Sequence, residues 1–487
     1  MAELSSLTIA QAHDLLRAKK ASAAELVEAC IQRIEAVDDK LNAVVHRNFD
    51  KARQAAKVVD GQGSFDHPLT GIPYLTKDVY CEEGVPTTAC STMLRDKDYI
   101  PPFDSTTTLR LKAKGAISIA KVNTDEFTMG ASTETSCYGV TRNPWDTTRV
   151  AGGSSGGSAA GVAADEGIFA LGTDTGGSIR QPAGFCNVTG IRPTYGRTSR
   201  FGVLSMASSL DTIGPICKTV EDMAIVLQAI AGKDPKDGTT SDIPVPDYRA
   251  ALTGDVKGLR VGIPKEYFVE GMNPEVEGAV RDAAKVFASM GATVKDISLP
   301  HTKYATPTYY VICPCEVSSN MSRYDGIRYG HTAPKAGSLI EYYEQARSTG
   351  FGPEVKRRIM IGTFALSAGY YDAYYRQAQK VRTLILQDFV KAYQEVDIIL
   401  SPVSPTPAFT VGAHENDPVA MYLEDIFLDS QVMAGIPALS VPCGFSKNNL
   451  PIGLQIMGAQ WQEATILRAA HAYEQATDWH TRKPVVK

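Results

Sequence analysis

Residues 151–183 read AGGSSGGSAAGVAADEGIFALGTDTGGSIRQPA, and the rest of the chain is understood outward from them. Two glycine–serine clusters, Gly152–Ser158 and Gly172–Ser178, flank a short apolar run. Glycine tolerates positive φ and lets other atoms approach the backbone closely. Two such clusters, separated by so little chain, predict two loops that meet at one site. Three small hydroxyls stand out there: Ser154, Ser155 and Ser178. In Thr173-Asp174-Thr175-Gly176-Gly177-Ser178, successive backbone N–H groups precede a serine, and Ile179-Arg180 can open a helix. Converging N–H groups make an anion or oxyanion site, and such a site suits acyl transfer.

A serine attacks well when a neighbouring base takes its proton. The eight histidines all lie outside this stretch, in contexts that read as surface or satisfied positions. The nucleophile-elbow pattern G-x-S-x-G occurs twice in overlapping registers, Gly152–Gly156 and Gly153–Gly157, so it discriminates little. The other candidate base is a lysine. Residues 71–79, GIPYLTKDV, read as an apolar strand that carries Lys77. An ammonium on a buried strand is costly unless it is neutralised or paired; an edge position facing solvent is the plainer alternative. Serine–lysine catalysis is a variant of the triad logic. Two readings outside hydrolysis compete. A phosphate-binding module lacks GxxxxGK[ST] and a strand-placed GxGxxG, and the two loops could instead be structural turns of a binding protein.

Along the chain, Thr8-Ile-Ala-Gln11 and Ser22-Ala-Ala-Glu25 fit capping boxes and predict two N-terminal helices. A helix is expected over 49–59, one over 106–114 capped by Ser105, a strand over 116–122, and a helix over 219–231 capped by Thr219. The polar loop 123–140 could carry function or be plain surface. Strands at 259–263 and 292–299 alternate with a helix over 274–290. Residues 303–395 read as mostly helical, 397–400 as a strand, 418–434 as one helix, 437–442 and 451–457 as strands, and 463–477 as a closing helix. Alternation of this kind predicts an α/β/α fold, with a large mixed sheet covered by helices on both faces. Length alone suggests about three domains. With no repeat or low-complexity linker, one domain over 1–487 is the better expectation, with a helical insertion over about 303–395.

The composition is that of a soluble globular chain: 487 residues, 44% hydrophobic, 21% charged, net charge −5. That balance argues against broad electrostatic binding of nucleic acid by this chain itself. Nine cysteines without CxxC spacing favour a reducing compartment. The N-terminus lacks an apolar signal region, and no run approaches the roughly 18 apolar residues of a membrane span. Cytoplasm is therefore expected, with an organelle matrix as the alternative.

The pairing of GGSSGGS at 152–158 with GTDTGGSIRQP at 172–182, together with the lysine strand upstream, resembles the amidase signature family. The resemblance implies that Lys77 is the base, Ser154 a bridging serine in a cis peptide, and Ser178 the nucleophile. It implies an oxyanion hole from the N–H groups of Thr175, Gly176 and Gly177. RPTYGRTSRFG at 192–202, SSLDTIGP at 208–215 and further stretches extend the likeness to the glutamine-hydrolysing subunits of tRNA-dependent amidotransferases. That branch implies glutamine as substrate, with Arg358 meeting its carboxylate and Asp425 its ammonium. Tyr309 and the Met129 carbonyl complete the site. It further implies partner subunits B and C, tRNA held mainly through the partner, and no cofactor or metal on this chain. ATP and a divalent metal would sit on the partner that amidates Glu-tRNA(Gln) or Asp-tRNA(Asn). The alternative is a stand-alone amidase for another small amide. Two departures stand out: Thr76 puts a hydroxyl beside Lys77, and Pro314 between Cys313 and Cys315 is expected to kink the helix that carries Tyr309.

Overall fold

The computed structural model describes residues 4–96, 99–333 and 335–486. Both N-terminal capping boxes form, Thr8 with Gln11 and Ser22 with Glu25. The helix Ala23–Leu41 turns Leu26, Val27, Ile31 and Ile34 inward at helical spacing. Ser105 caps Thr106–Ala113, and Thr219 caps Val220–Ile230, as their sequences predict.

Among the described residues, thirteen strands follow in chain order: β1 Val44–Arg47, β2 Pro73–Lys77, β3 Ile117–Val122, β4 Arg142–Asn143, β5 Asp146–Val150, β6 Phe169–Asp174, β7 Thr189–Arg192, β8 Thr212–Cys217, β9 Arg260–Pro264, β10 Thr293–Ile297, β11 Ile398–Pro402, β12 Ala438–Phe445 and β13 Pro451–Gly458. Eleven make one mixed sheet in the order β1-β3-β2-β6-β8-β7-β12-β13-β11-β9-β10, and β4 pairs with β5 alone. The strands β3, β2 and β6 run parallel to one another. Every residue of β2, β3, β6 and β8 is buried, the pattern of strands covered on both faces. The expected α/β/α architecture is thus observed. Among the described residues, no helix is long and apolar enough to cross a membrane. Among the described residues no disulfide is formed.

The chain between β10 and β11 is an excursion of helices, chiefly Ala305–Met321, Leu339–Gly350, Pro353–Leu366 and Gln377–Glu395. Three local expectations need correction. Pro314 does not break its helix, which runs through it from Ala305 to Met321. The predicted single helix over 418–434 divides into Pro418–Leu423 and Asp429–Ala434. The turn between them is closed by the Leu428 N–H donating to the Asp425 carbonyl at 2.8 Å. The Thr76 hydroxyl turns away from Lys77 and lies 3.3 Å from Ser118 Oγ, because successive strand residues point to opposite faces.

Pro314 also marks where two helices of the excursion meet. A methyl at Gly362 would stand 1.9 Å from the Pro314 carbonyl oxygen. Gly362→Ala should therefore destabilise the chain by about 1–3 kcal/mol, as overpacking does. A urea melt should show this as a lower midpoint at unchanged slope; an unchanged midpoint would mean that the helices do not pack this closely.

Candidate active site

The site lies at the carboxyl ends of the parallel strands, where open α/β sheets place their ligands. Lys77 is the last residue of β2, Thr173 and Asp174 close β6, and Asp125 follows β3. The Lys77 side chain is 0% exposed. Its Nζ lies 2.7 Å from Ser154 Oγ, 2.8 Å from Ser155 Oγ and 2.9 Å from Thr173 Oγ1. Burial pushes its ammonium down to about 7, and the carboxylates of Asp125 and Asp174 oppose that shift. A neutral amine is thus available close to neutral pH.

The three serines are not equivalent. Ser155 donates its hydroxyl to the Thr173 carbonyl at 3.2 Å and accepts from the Thr173 N–H at 3.3 Å. Ser154 is bonded to Lys77 and is fully buried. Ser178 keeps 7% exposure, as a group that meets an incoming molecule must. Its carbonyl accepts the Ser155 N–H at 3.1 Å and ties the two glycine–serine loops together. The Gly153–Ser154 peptide is cis.

Loop packing explains the glycines. A Cβ on Gly153 would stand 2.2 Å from Asp125 Oδ2 and 2.4 Å from the Ser132 amide. Gly177 has φ +119°, and a Cβ there would lie 2.4 Å from Leu428 Cδ1; only glycine suits both demands. Gln181 bridges the loops: its Oε1 accepts the Gly153 N–H at 2.9 Å, and its Nε2 donates to the Ala131 carbonyl at 3.1 Å. Asp125 accepts from the Thr133 N–H and the Thr135 hydroxyl at 2.9 and 2.8 Å.

Beneath the nucleophile sits a dry ion cluster. Asp174 accepts from Arg180 Nε and Nη2 at 2.9 Å each and from Arg192 Nη1 at 3.4 Å. Burial alone would raise the Asp174 carboxyl, but Arg180 and Arg192 hold it well below the usual carboxylate range. Asp174 also accepts the Gly177 N–H at 3.0 Å. The expected three open oxyanion donors are therefore reduced, because the Gly177 amide is already engaged. Thr175 is fixed through its hydroxyl, which donates to Asp211 Oδ1 at 2.7 Å.

Of the four residues expected around the substrate, Tyr309 packs directly on this loop. Tyr309 is buried, and its hydroxyl would lie 2.7 Å from a Cβ on Gly176; the uninterrupted helix through Pro314 puts it there. Arg358 is 4% exposed, donates through Nε to Glu354 Oε1 at 2.8 Å, and stands 5.5 and 5.7 Å from the ring centres of Tyr310 and Tyr422. Tyr422 donates its hydroxyl to the same Glu354 oxygen at 2.9 Å. Asp425 lies in the turn behind Leu428, with its Oδ1 buried and without a hydrogen-bond partner. Met129 is fully buried, and its carbonyl accepts weakly from the Thr135 hydroxyl at 3.4 Å.

A cavity of about 550 Å³ opens over Arg358 and is lined by Glu126, Ser132, Tyr310, Glu354 and His414 among others. His414 is thus the histidine that reaches the cleft, with Nε2 3.2 Å from Glu424 Oε1. Asp125, Thr173, Glu354 and Gln181 escaped the sequence reading as site residues. For Asp125 the signal was its place in the polar loop after β3; for Thr173 and Gln181 it was their place inside the two-loop motif.

A sheet of this order with a lysine–serine site at its parallel strand ends defines an amide hydrolase. The Amidase family model matches residues 25–467, and the chain belongs to that family. Within it the chain is 55% identical over 487 residues to the A subunit of glutamyl-tRNA(Gln) amidotransferase from Chloroflexus aggregans, covering 99% of each chain. It is 53% identical over 484 residues to the same subunit of Geotalea daltonii, again 99% of each. The crystal structure of the Thermotoga maritima counterpart is similar with a TM-score of 0.82 at 38% identity, over 100% of this chain and 99% of that one. A bacterial aryl acylamidase shares the fold at 26% identity, with a TM-score of 0.84 over 98% of this chain and 99% of that one.

The depressed lysine is directly measurable. Heteronuclear NMR of the Lys77 side chain should give a titration midpoint near 7, far below the ordinary lysine value of about 10.4. A midpoint above about 9 would leave too little neutral amine for it to act as a base near neutrality.

Proposed function

We propose that this chain is the glutamine-hydrolysing component of a tRNA-dependent amidotransferase. The observation that carries the chemistry is the dry contact between Lys77 Nζ and Ser154 Oγ. Ser178 Oγ attacks the carbon of the glutamine side-chain amide, and its proton passes through Ser154 to neutral Lys77. Ser155 is the poorer relay, since its proton is given to the Thr173 carbonyl. The Thr175 and Gly176 amides receive the developing oxyanion, with Gly177 shared between that role and Asp174. The protonated relay returns its proton to the leaving nitrogen, which departs as ammonia, and water then hydrolyses the glutamyl ester to glutamate.

Substrate identity rests on charge. Free glutamine carries a carboxylate and an ammonium, so its pocket needs a cation and an acid. Arg358, flanked by two tyrosine rings and held at Nε by Glu354, supports the first role. Asp425, unpartnered at Oδ1, supports the second. Tyr309 and the Met129 carbonyl complete the pocket in this reading. The full-length similarity to amidotransferase chains supports delivery of the ammonia to partner subunits B and C. They would hold the tRNA and bring ATP and a divalent metal to the amidation of Glu-tRNA(Gln) or Asp-tRNA(Asn), and this chain itself would need no cofactor. The lack of any disulfide among the described residues fits a reducing setting, the cytoplasm or an organelle matrix.

Ser178→Ala should abolish ammonia release from glutamine, in the chain alone and with its partner subunits; surviving turnover would remove Ser178 as nucleophile. The kcat for glutamine should rise with pH through about 7, because only the neutral amine accepts the relayed proton. A flat profile between pH 6 and 8 would exclude Lys77 as the base. Arg358→Lys should raise KM for glutamine about tenfold at little cost in kcat, since a lysine cannot reproduce the oriented guanidinium. Unchanged kinetics, with aryl or aliphatic amides turned over equally well, would place the chain among stand-alone amidases.

A further inference from the structure

The turn between Pro418–Leu423 and Asp429–Ala434 sets a second acid close enough to Asp425 to act on it. Asp429 stands four residues after Asp425, across the turn closed by the Leu428 N–H on the Asp425 carbonyl. Leu428 itself abuts the oxyanion loop at Gly177. Asp429 is 0% exposed, and neither of its carboxyl oxygens has a hydrogen-bond partner. The Thr306 hydroxyl faces it without closing a bond. Buried carboxyls are ordinarily satisfied, so three unpartnered oxygens on two acids at one spot call for a ligand.

No cation among the described residues serves the pair. Arg180 commits its donors to Asp174, Gln431, Gln455 and the Leu428 carbonyl. Arg358 is bound to Glu354 through Nε. Asp429 nonetheless lies close enough to feel both charges. Burial pushes its carboxyl up to about 7, and its charge is the strongest neighbour acting on Asp425, whose carboxyl burial also pushes up. Two such groups do not both ionise without a counter-cation. A primary ammonium supplies that charge together with three donors, more than one carboxylate alone takes up.

We propose that Asp429 is the second carboxylate of the ammonium pocket, joining Asp425 in holding the α-ammonium of the substrate and so selecting amino-acid amides over uncharged ones. This rests on the reading that glutamine is the substrate and that Asp425 meets its ammonium.

The test compares two substrates, glutamine and 4-carbamoylbutanoate, the same amide without the amino group, in the full chain assembled with the partner subunits it needs for turnover. Asp429→Asn should lower kcat/KM for glutamine about tenfold or more, mainly through KM, and change that for 4-carbamoylbutanoate less than about twofold. Equal losses on both substrates would give Asp429 a packing role and overturn the proposal. Discrimination lost in Asp425→Asn but kept in Asp429→Asn would overturn it while leaving Asp425 in place. If neither variant separates the substrates, the ammonium reading of Asp425 itself fails. Should Asp429→Asn not fold, Asp429→Ser carries the same comparison.

Discussion

Everything in this molecule answers to one amine held out of water. Lys77 ends a strand whose neighbours are buried on every side, and a charged ammonium there is unfavourable. The surroundings do not cancel that penalty with a salt bridge. They supply three hydroxyl oxygens, from Ser154, Ser155 and Thr173, and keep the nearest carboxylates at a remove. Hydroxyls support an amine in either protonation state, whereas a contacting carboxylate would lock it as a cation. The cation-rich cluster of Asp174, Arg180 and Arg192 lies one layer deeper, where it braces the nucleophile loop without touching the amine.

Much of this could be read from the chain itself, for reasons that differ residue by residue. The glycine–serine clusters and Lys77 announced themselves because the chemistry needs rare types in unusual places: small residues in runs, a lysine in an apolar strand. The N-terminal caps were legible because a capping box is local, with both partners within four residues. What stayed hidden depends on long-range partners. Asp125 looks like any acid in a polar loop until Gly153 and Thr133 close around it. The Gly177 amide looks open until Asp174, three residues earlier, folds back onto it. Pro314 reads as a kink, yet its helix stays whole and leaves Gly362 as the point of approach. The break in the predicted 418–434 helix, which sets Asp425 in a turn, carries no glycine or proline to betray it.

In the proposed reading, chemistry and selection draw largely on different parts of the chain, the Met129 carbonyl excepted. Lys77, Ser154 and Ser178 come from β2 and from the loops that flank β6, all within the first 180 residues. Tyr309 and Arg358 come from the helical excursion between β10 and β11, and the two aspartates come from the segment after β11. The halves meet along the β7–β12 pairing and through Arg180, whose side chain reaches Gln431 and Gln455; above these, Tyr309 rests on Gly176 and Leu428 rests on Gly177, two contacts with no side chain on the catalytic partner.

Those two glycine contacts set how the molecule can diverge. A residue without a side chain transmits few substitutions from one half to the other. At those two points a lineage can exchange a residue beyond β10 with no matching change in a catalytic-loop side chain, whereas at Gln431 and Gln455, which Arg180 reaches, it cannot. Descent with a fixed engine and an exchangeable lock is what this seam permits.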